Sequence, residues 1–284
     1  MNISLDSALG RQRRLNQVGE TINSIATPAA AYSLRSLTGG DPLAVRVRRD
    51  TGGGAGDDDE QDFTVSEINS GALIAFVGSG NNGFVETWYD QSGNDNHVTN
   101  TNTGNQPKIV SSGSLLTQGS KACINFDGTD NFLNRATYTQ GALSQPNTAF
   151  AVAKLDAYTD SNRKIFDGDV ITARNMLQLN TAGNGQFAHF AGTVAATGED
   201  ADANRHLFTC LFNGSNSRLR IDTTQKSTAN AGTNTMNGIV IGANHDTAQN
   251  FWDGDIQEII ICDSNQTSNF TVLENNINSY YSIF

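Results

Sequence analysis

The chain has 284 residues, 37% of them hydrophobic and 17% charged, with 28 glycines, 4 prolines and 3 cysteines. Its formal net charge of −11 repels a polyphosphate backbone over most of the surface and excludes nucleic acid as a partner. No run approaches the ~18 apolar residues of a membrane span, so no membrane partner is expected either.

Residues 1–27 lack aromatics and proline, and Leu15, Val18, Ile22 and Ile25 are spaced three, four and three apart before Pro28. That is the seam of one helix. Gly19 weakens it, and fewer than two heptads do not hold a coiled coil alone. The stripe either lies on the chain's own fold or docks against another subunit. The expectation is docking: residues 1–28 form a helical arm that oligomerises, as a trimer for instance, and residues 29–284 form the main domain. The first thirty residues carry arginines but no apolar stretch of signal-peptide length, so synthesis in a cytosol without export is expected.

Residues 29–37 read as a short helix or a first strand, and 43–49 alternates as a strand whose Arg46, Arg48 and Arg49 make one charged, solvated or ion-paired face. Residues 52–62, a glycine run followed by acids, read as an exposed loop. Asp57, Asp58 and Asp59 in it are candidate calcium ligands, but the loop lacks the EF-hand pattern, and a solvated loop is the expectation. No other metal or cofactor is expected. Strands follow at 83–89, 121–126, 147–155, 163–166, 175–179, 185–191, 206–212, 217–221, 238–241 and 255–262, many separated by Asn-Gly, Asp-Gly or Gly-Asn turns. So many strands without intervening helices predict an all-β, two-sheet antiparallel jelly-roll sandwich. Val272, Leu273, Ile277 and Tyr280 then predict a short closing helix. Cys123, Cys210 and Cys262 each sit in an apolar run and read as buried free thiols.

The stretch Trp88-Tyr89-Asp90-Gln91-Ser92-Gly93-Asn94-Asp95-Asn96-His97 resembles the Tyr-Asp-Gln-Ser-Gly-x-x-Asn-His segment of the fungal α-L-arabinofuranosidase B-type catalytic domain, a concanavalin A-like lectin/glucanase sandwich. Gln106-Pro107-Lys108-Ile109-Val110 and Asn125-Phe126-Asp127-Gly128 fit the same pattern, which covers about residues 30–135. The resemblance continues weakly through Asp253-Gly254-Asp255-Ile256-Gln257-Glu258 and the isoleucines after it. Residues 10–15 and 32–41 are also similar to virion surface proteins of marine and cyanobacterial tailed phages. These resemblances imply a lectin-like part of a tail fibre, spike or capsid decoration. Its partners are then cell-surface glycan, neighbouring virion proteins or further copies of itself, and its place is the virion surface. A glycoside hydrolase acting on host polysaccharide is the alternative.

The motif itself reads as a structural corner, or as a sugar platform in which an aromatic face stacks on pyranose C–H groups while Asp90, Asn94, Asn96 and His97 bond hydroxyls. The glycan-binding candidates are Trp88, Tyr89, Asp90, Asn94, Asn96, His97, Asn244, Asp246 and Trp252, with both loops expected to border one concavity. No catalytic residue is assigned. The resemblance places an acid/base on a Gly-Gly-Asp loop, where this chain has Gly242-Ala243-Asn244, and an amide cannot protonate a leaving oxygen; Asp246, two positions on, is the substitute the loop offers. The Glu-Asn-Gly nucleophile motif and the adjacent cysteines of that family are also missing. Asp167, Asp169, Asp253, Asp255 and Glu258 remain as carboxylates for a different pair, and read as turn and edge residues.

Overall fold

The computed structural model describes residues 21–156, 158, 162–180 and 185–284. Its first sheet is built on the isoleucine-rich strand Asp253–Cys262. One side of that strand pairs with Asn147–Leu155, and the other with Ala30–Ser33 and Ile124–Asp127 in succession. Arg205–Phe212, Arg218–Ile221 and Thr224–Thr228 extend the sheet outward from Asn147–Leu155. The second sheet runs Glu60–Thr64, Leu43–Asp50, Asn82–Trp88, Val98–Thr99, Leu133–Arg135, Ile239–Ile241, Arg163–Asp167, Met176–Asn180, Gln186–Phe190 and Val194–Ala196. Lys108–Ser111 pairs with both layers and joins them at one edge. All of these pairings are antiparallel, as the alternating patterns require.

Strand periodicity sorts the side chains. Ala149, Ala151 and Ala153 face the second sheet and share one core with Val45, Val47, Ile165, Leu177 and Ile241. Phe150 and Val152, between them, point to the opposite face, with Leu207, Leu211 and Ile260. An apolar outer face needs a cover, and the closing helix Phe270–Tyr281 supplies it by burying Phe270, Leu273, Ile277 and Tyr281 there. Each such side chain contributes roughly 1.5–3 kcal/mol. Two arginines hold the helix in place: Arg220 pairs with its Glu274 at 2.8 Å, and Arg35, itself paired with Glu258 at 2.8 Å, donates to its Asn276 at 2.9 Å.

The same outer face receives a five-residue helix, Ile22–Ala26, capped by Thr21, whose hydroxyl accepts the Ser24 amide. Ile22 is buried in the outer cluster, and Ile25 is half-buried against it. The expected docking stripe is therefore corrected at Ile22, which burial on the chain's own sheet already removes from water. Leu15 and Val18 lie outside the described residues.

Two further departures concern residues 60–77. Glu60 and Asp62 belong to an edge strand rather than to the acidic loop, and helices Val65–Ser70 and Ala72–Val77 follow it. No helix among the described residues is long and apolar enough to cross a membrane. Cys123, Cys210 and Cys262 are buried and free, and burial pushes their thiols up, that of Cys262 to about 12.

Candidate functional site

The motif at 88–97 is a corner that ties the second sheet to the strand Ala30–Ser33. Asp90 is its hub. One carboxylate oxygen accepts the amides of Ala31 and Ser92 at 2.8 and 2.9 Å, and the other accepts the Asn96 amide and the Ser92 hydroxyl at 3.0 and 2.7 Å. Gln91 donates to the carbonyls of Ser33 and Arg35 and accepts from the Leu37 amide. Asn94 donates to the Pro28 and Ala29 carbonyls, and Asn96 to Ala29 and Gln140. His97 Nδ1 accepts the Asp90 amide at 3.0 Å, which leaves the proton of the neutral ring on Nε2.

The sugar-platform reading is corrected for Trp88 and Trp252, both 0% exposed, because a ring enclosed in the core cannot stack on a ligand. Asp90 and Asn96 are likewise buried and committed to the corner. Tyr89 and His97 stay half-exposed, edge to face at 5.0 Å. The Tyr89 hydroxyl donates to Asp62, and burial together with that carboxylate pushes it up to about 12.

The candidate calcium loop is also committed. Asp57 accepts the amides of Thr51 and Gly53, Asp58 pairs with Arg48 at 2.7 Å, and Asp59 pairs with Arg49 at 2.5 Å. The acids neutralise the arginine face of the neighbouring strand, and among the described residues no group of three or more His, Cys, Asp or Glu is arranged to hold a metal ion.

The loop after Ile239–Ile241 carries a different constellation. Asn134, Val240 and Asp167 are successive cross-strand neighbours, so Asn134 and Asp167 flank Val240 on the outer face of the second sheet. Asp167 is 0% exposed and takes both Nε and Nη2 of Arg174, at 3.1 and 2.5 Å, with the His245 amide at 3.1 Å. Arg174 Nη2 also donates to Asn244 Oδ1 at 2.7 Å, and Asn244 Nδ2 donates to Asp246 at 3.3 Å. Burial pushes Asp167 up against the pull of Arg174, and it brings Lys164, bonded to Gln178, down to about 8. Asp169 is pushed up by burial. Asp246 is held down: burial opposes the shift, but the Ala248 amide, His245, Asn244 and Gln249 outweigh it. Of the other carboxylates, Glu258 is clamped by Arg35, Asp255 accepts from Asn125, and Asp253 lies 3.5 Å from Arg163.

The two candidate loops do not share a concavity. The motif corner holds Ala29–Ala31, paired at the Ile261 end of the strand Asp253–Cys262, whereas Trp252 leads into its Asp253 end. Eight residues of strand at roughly 3.3 Å each separate them by about 26 Å. A cleft of about 370 Å³ lies beside the corner, and one of about 130 Å³ lies beside Asn250 and Phe251, with no lining residue in common. Sequence reasoning missed Arg174, Lys164 and Asn134. Nothing local marks them, because their partners lie on other strands.

No family model matches the chain, and no curated protein does. Solved structures do. One is an arabinofuranosidase complexed with arabinofuranosyl-α-1,2-xylobiose, 16% identical, with a TM-score of 0.65 over 87% of this chain and 62% of that one. Another is a GH54 α-L-arabinofuranosidase soaked with a cyclic sulfate inhibitor, 15% identical, with a TM-score of 0.66 over the same shares. This chain thus spans about three fifths of the length of those enzymes, and what it shares with them is the sandwich fold.

Proposed function

We propose that this chain recognises carbohydrate through Arg174, His245 and Asp246, held in place by the buried Asp167 and Asn244 at one end of the second sheet, and does not hydrolyse it. The observation that carries the reading is the state of Asn244. Its two amide atoms are engaged by Arg174 and Asp246, and it has no proton to give a leaving oxygen. General acid assistance is worth about 10²–10⁴ in rate. Asp167 does not replace it, since Arg174 and the His245 amide occupy its oxygens. A fixed array of amide, guanidinium and carboxylate with Asp246 exposed at its rim suits the bonding of sugar hydroxyls.

The test is incubation with aryl arabinofuranosides and with polysaccharide, assaying hydrolysis and retention together. No aryl alcohol should be released above buffer, and Asp246→Ala should weaken retention without lowering the melting temperature. Turnover that Asp246→Asn abolishes would overturn the reading. Hydrolysis stays the second reading for one reason. Solved structures of like fold are arabinofuranosidases, and Asp169 and Asp246 are two carboxylates with no arginine partner among the described residues. In that case Asp169→Asn and Asp246→Asn each remove activity. The virion setting rests on the resemblance of residues 10–15 and 32–41, and immunogold labelling that decorates no particle removes it.

A further inference from the structure

We infer that the cleft of about 370 Å³ beside the motif corner is a second ligand site, taking one neutral sugar unit by its vicinal hydroxyls. It stands apart from the function proposed above, at the opposite end of the strand Asp253–Cys262, and either site can fail without the other. The volume falls at the small end of the roughly 300–1,000 Å³ of small-molecule sites. Asn23, Thr27, Ser92, Asn94, Gln140 and Asp263 line it, and Pro28 adds an apolar wall.

Hydrogen-bond accounting decides what the cleft can take. Asn23 Nδ2 is fixed on the Gln91 carbonyl at 2.6 Å, while its Oδ1 is buried with no partner among the described residues. Asn94 points its amide nitrogen at the Pro28 and Ala29 carbonyls, both at 3.1 Å, which turns its oxygen away from them. Gln140 donates to the Ala29 carbonyl and accepts from Asn96 and Thr139, and the Ser92 hydroxyl donates to Asp90 at 2.7 Å. The donors of the wall are therefore turned inward to the corner. What faces the cleft is a pair of acceptors, Asn94 Oδ1 and the exposed carboxylate of Asp263, with the exposed Thr27 hydroxyl beside them and Asn23 Oδ1 enclosed behind the wall. A ligand must bring donors.

Neighbouring hydroxyls on a sugar ring do so at a spacing that two acceptors can share. A hard cation is the other donor-seeking guest, but it demands six to eight oxygens and more than one formal charge, and this rim carries one carboxylate. The wall is also preorganised, because the corner that shapes it is locked by Asp90.

The experiment is a titration of the ¹⁵N-labelled full chain with L-arabinose, D-xylose and D-mannose, followed by amide chemical shifts. At least one sugar should move the amides of Asn23, Thr27, Asn94 and Asp263 with a saturable, millimolar dependence. Asp263→Ala and Thr27→Val, which remove side-chain groups bonded to nothing else among the described residues, should each weaken it by about fivefold or more, as loss of one hydrogen bond does. Asp246→Ala should leave it unchanged. Absence of a saturable shift with all three sugars overturns the inference, as does binding indifferent to both cleft variants. Shifts driven by calcium alone and reversed by EDTA overturn it in favour of a cation.

Discussion

At the scale of single residues, the motif was legible as a tight loop and its energetics were not. Asp, Ser and Gly in that order announce a turn, but Asp90 also accepts the Ala31 amide 59 residues away, and such a partner leaves no trace in local sequence. Asp90→Ala strands four donors, and at about 1–3 kcal/mol for each one left unsatisfied, with some relaxation, it should cost at least about 3 kcal/mol. Urea unfolding measures it, and a loss under about 1 kcal/mol would show the corner to be dispensable. His206 sits between two carboxylates: Asp222 holds its Nδ1 at 2.7 Å and Asp202 its Nε2 at 2.8 Å. Burial lowers its pKa, but the two carboxylates outweigh burial and raise it. A raised folded value gives stability that is complete below the unfolded value of about 6.5 and is lost as pH rises through the folded one. Asp202, held low, adds stability present above about 3.9 and lost as pH falls through its folded value. The melting temperature of the native chain should therefore exceed that of His206→Gln by most near about pH 5–6, with the gap closing toward alkaline pH. A gap independent of pH would mean that the ring acts by packing alone.

Whole elements were more legible than single contacts, because alternation over five or more residues survives any error in register. Asn147–Leu155 matches its expected span, and Arg205–Phe212 and Asp253–Cys262 match theirs to within a residue or two. The helices Val65–Ser70 and Ala72–Val77 were not seen. At six residues each they are too short to show a period, although Thr64 and Glu67 form a capping box that could have marked the first start. Gly71, at φ 87°, splits them. A glycine also opens the loop that carries Asn244. Gly242 has φ 85°, and a Cβ there would stand 2.3 Å from the Phe126 ring. Gly242→Ala should cost about 3 kcal/mol from backbone strain and overpacking together. Gly93, at φ 90° with no neighbour within 4 Å, should lose only the backbone part on the same substitution, about 1–2 kcal/mol. Denaturant midpoints of the pair separate strain from crowding, and equal losses would show that Phe126 moves aside.

At the scale of the molecule, the sandwich followed from strand count and turn chemistry, whereas the expectation of one shared concavity failed on register. A sequence tells which residues form a strand, not which end of a neighbour they meet. Here the strand Asp253–Cys262 holds the motif corner at one end and the Asn244 loop at the other. Two sites about 26 Å apart, at roughly 3.3 Å per strand residue, share no partners, and mutations at such separations add to within about 0.3–0.5 kcal/mol. With a monosaccharide, Asp246→Ala and Asp263→Ala should thus act independently, each weakening its own site alone. A polysaccharide long enough to reach both ends changes the arithmetic, because the second engagement becomes intramolecular and avidity exceeds either affinity by about 10²–10⁴. Either single variant should then lose most of the retention on a polysaccharide gel, and the double variant should migrate little faster than the singles. If each single variant is retained like the native chain and only the double variant is released, the two ends bind separate polymer chains. If the single variants differ, with one inert, retention belongs to one end alone.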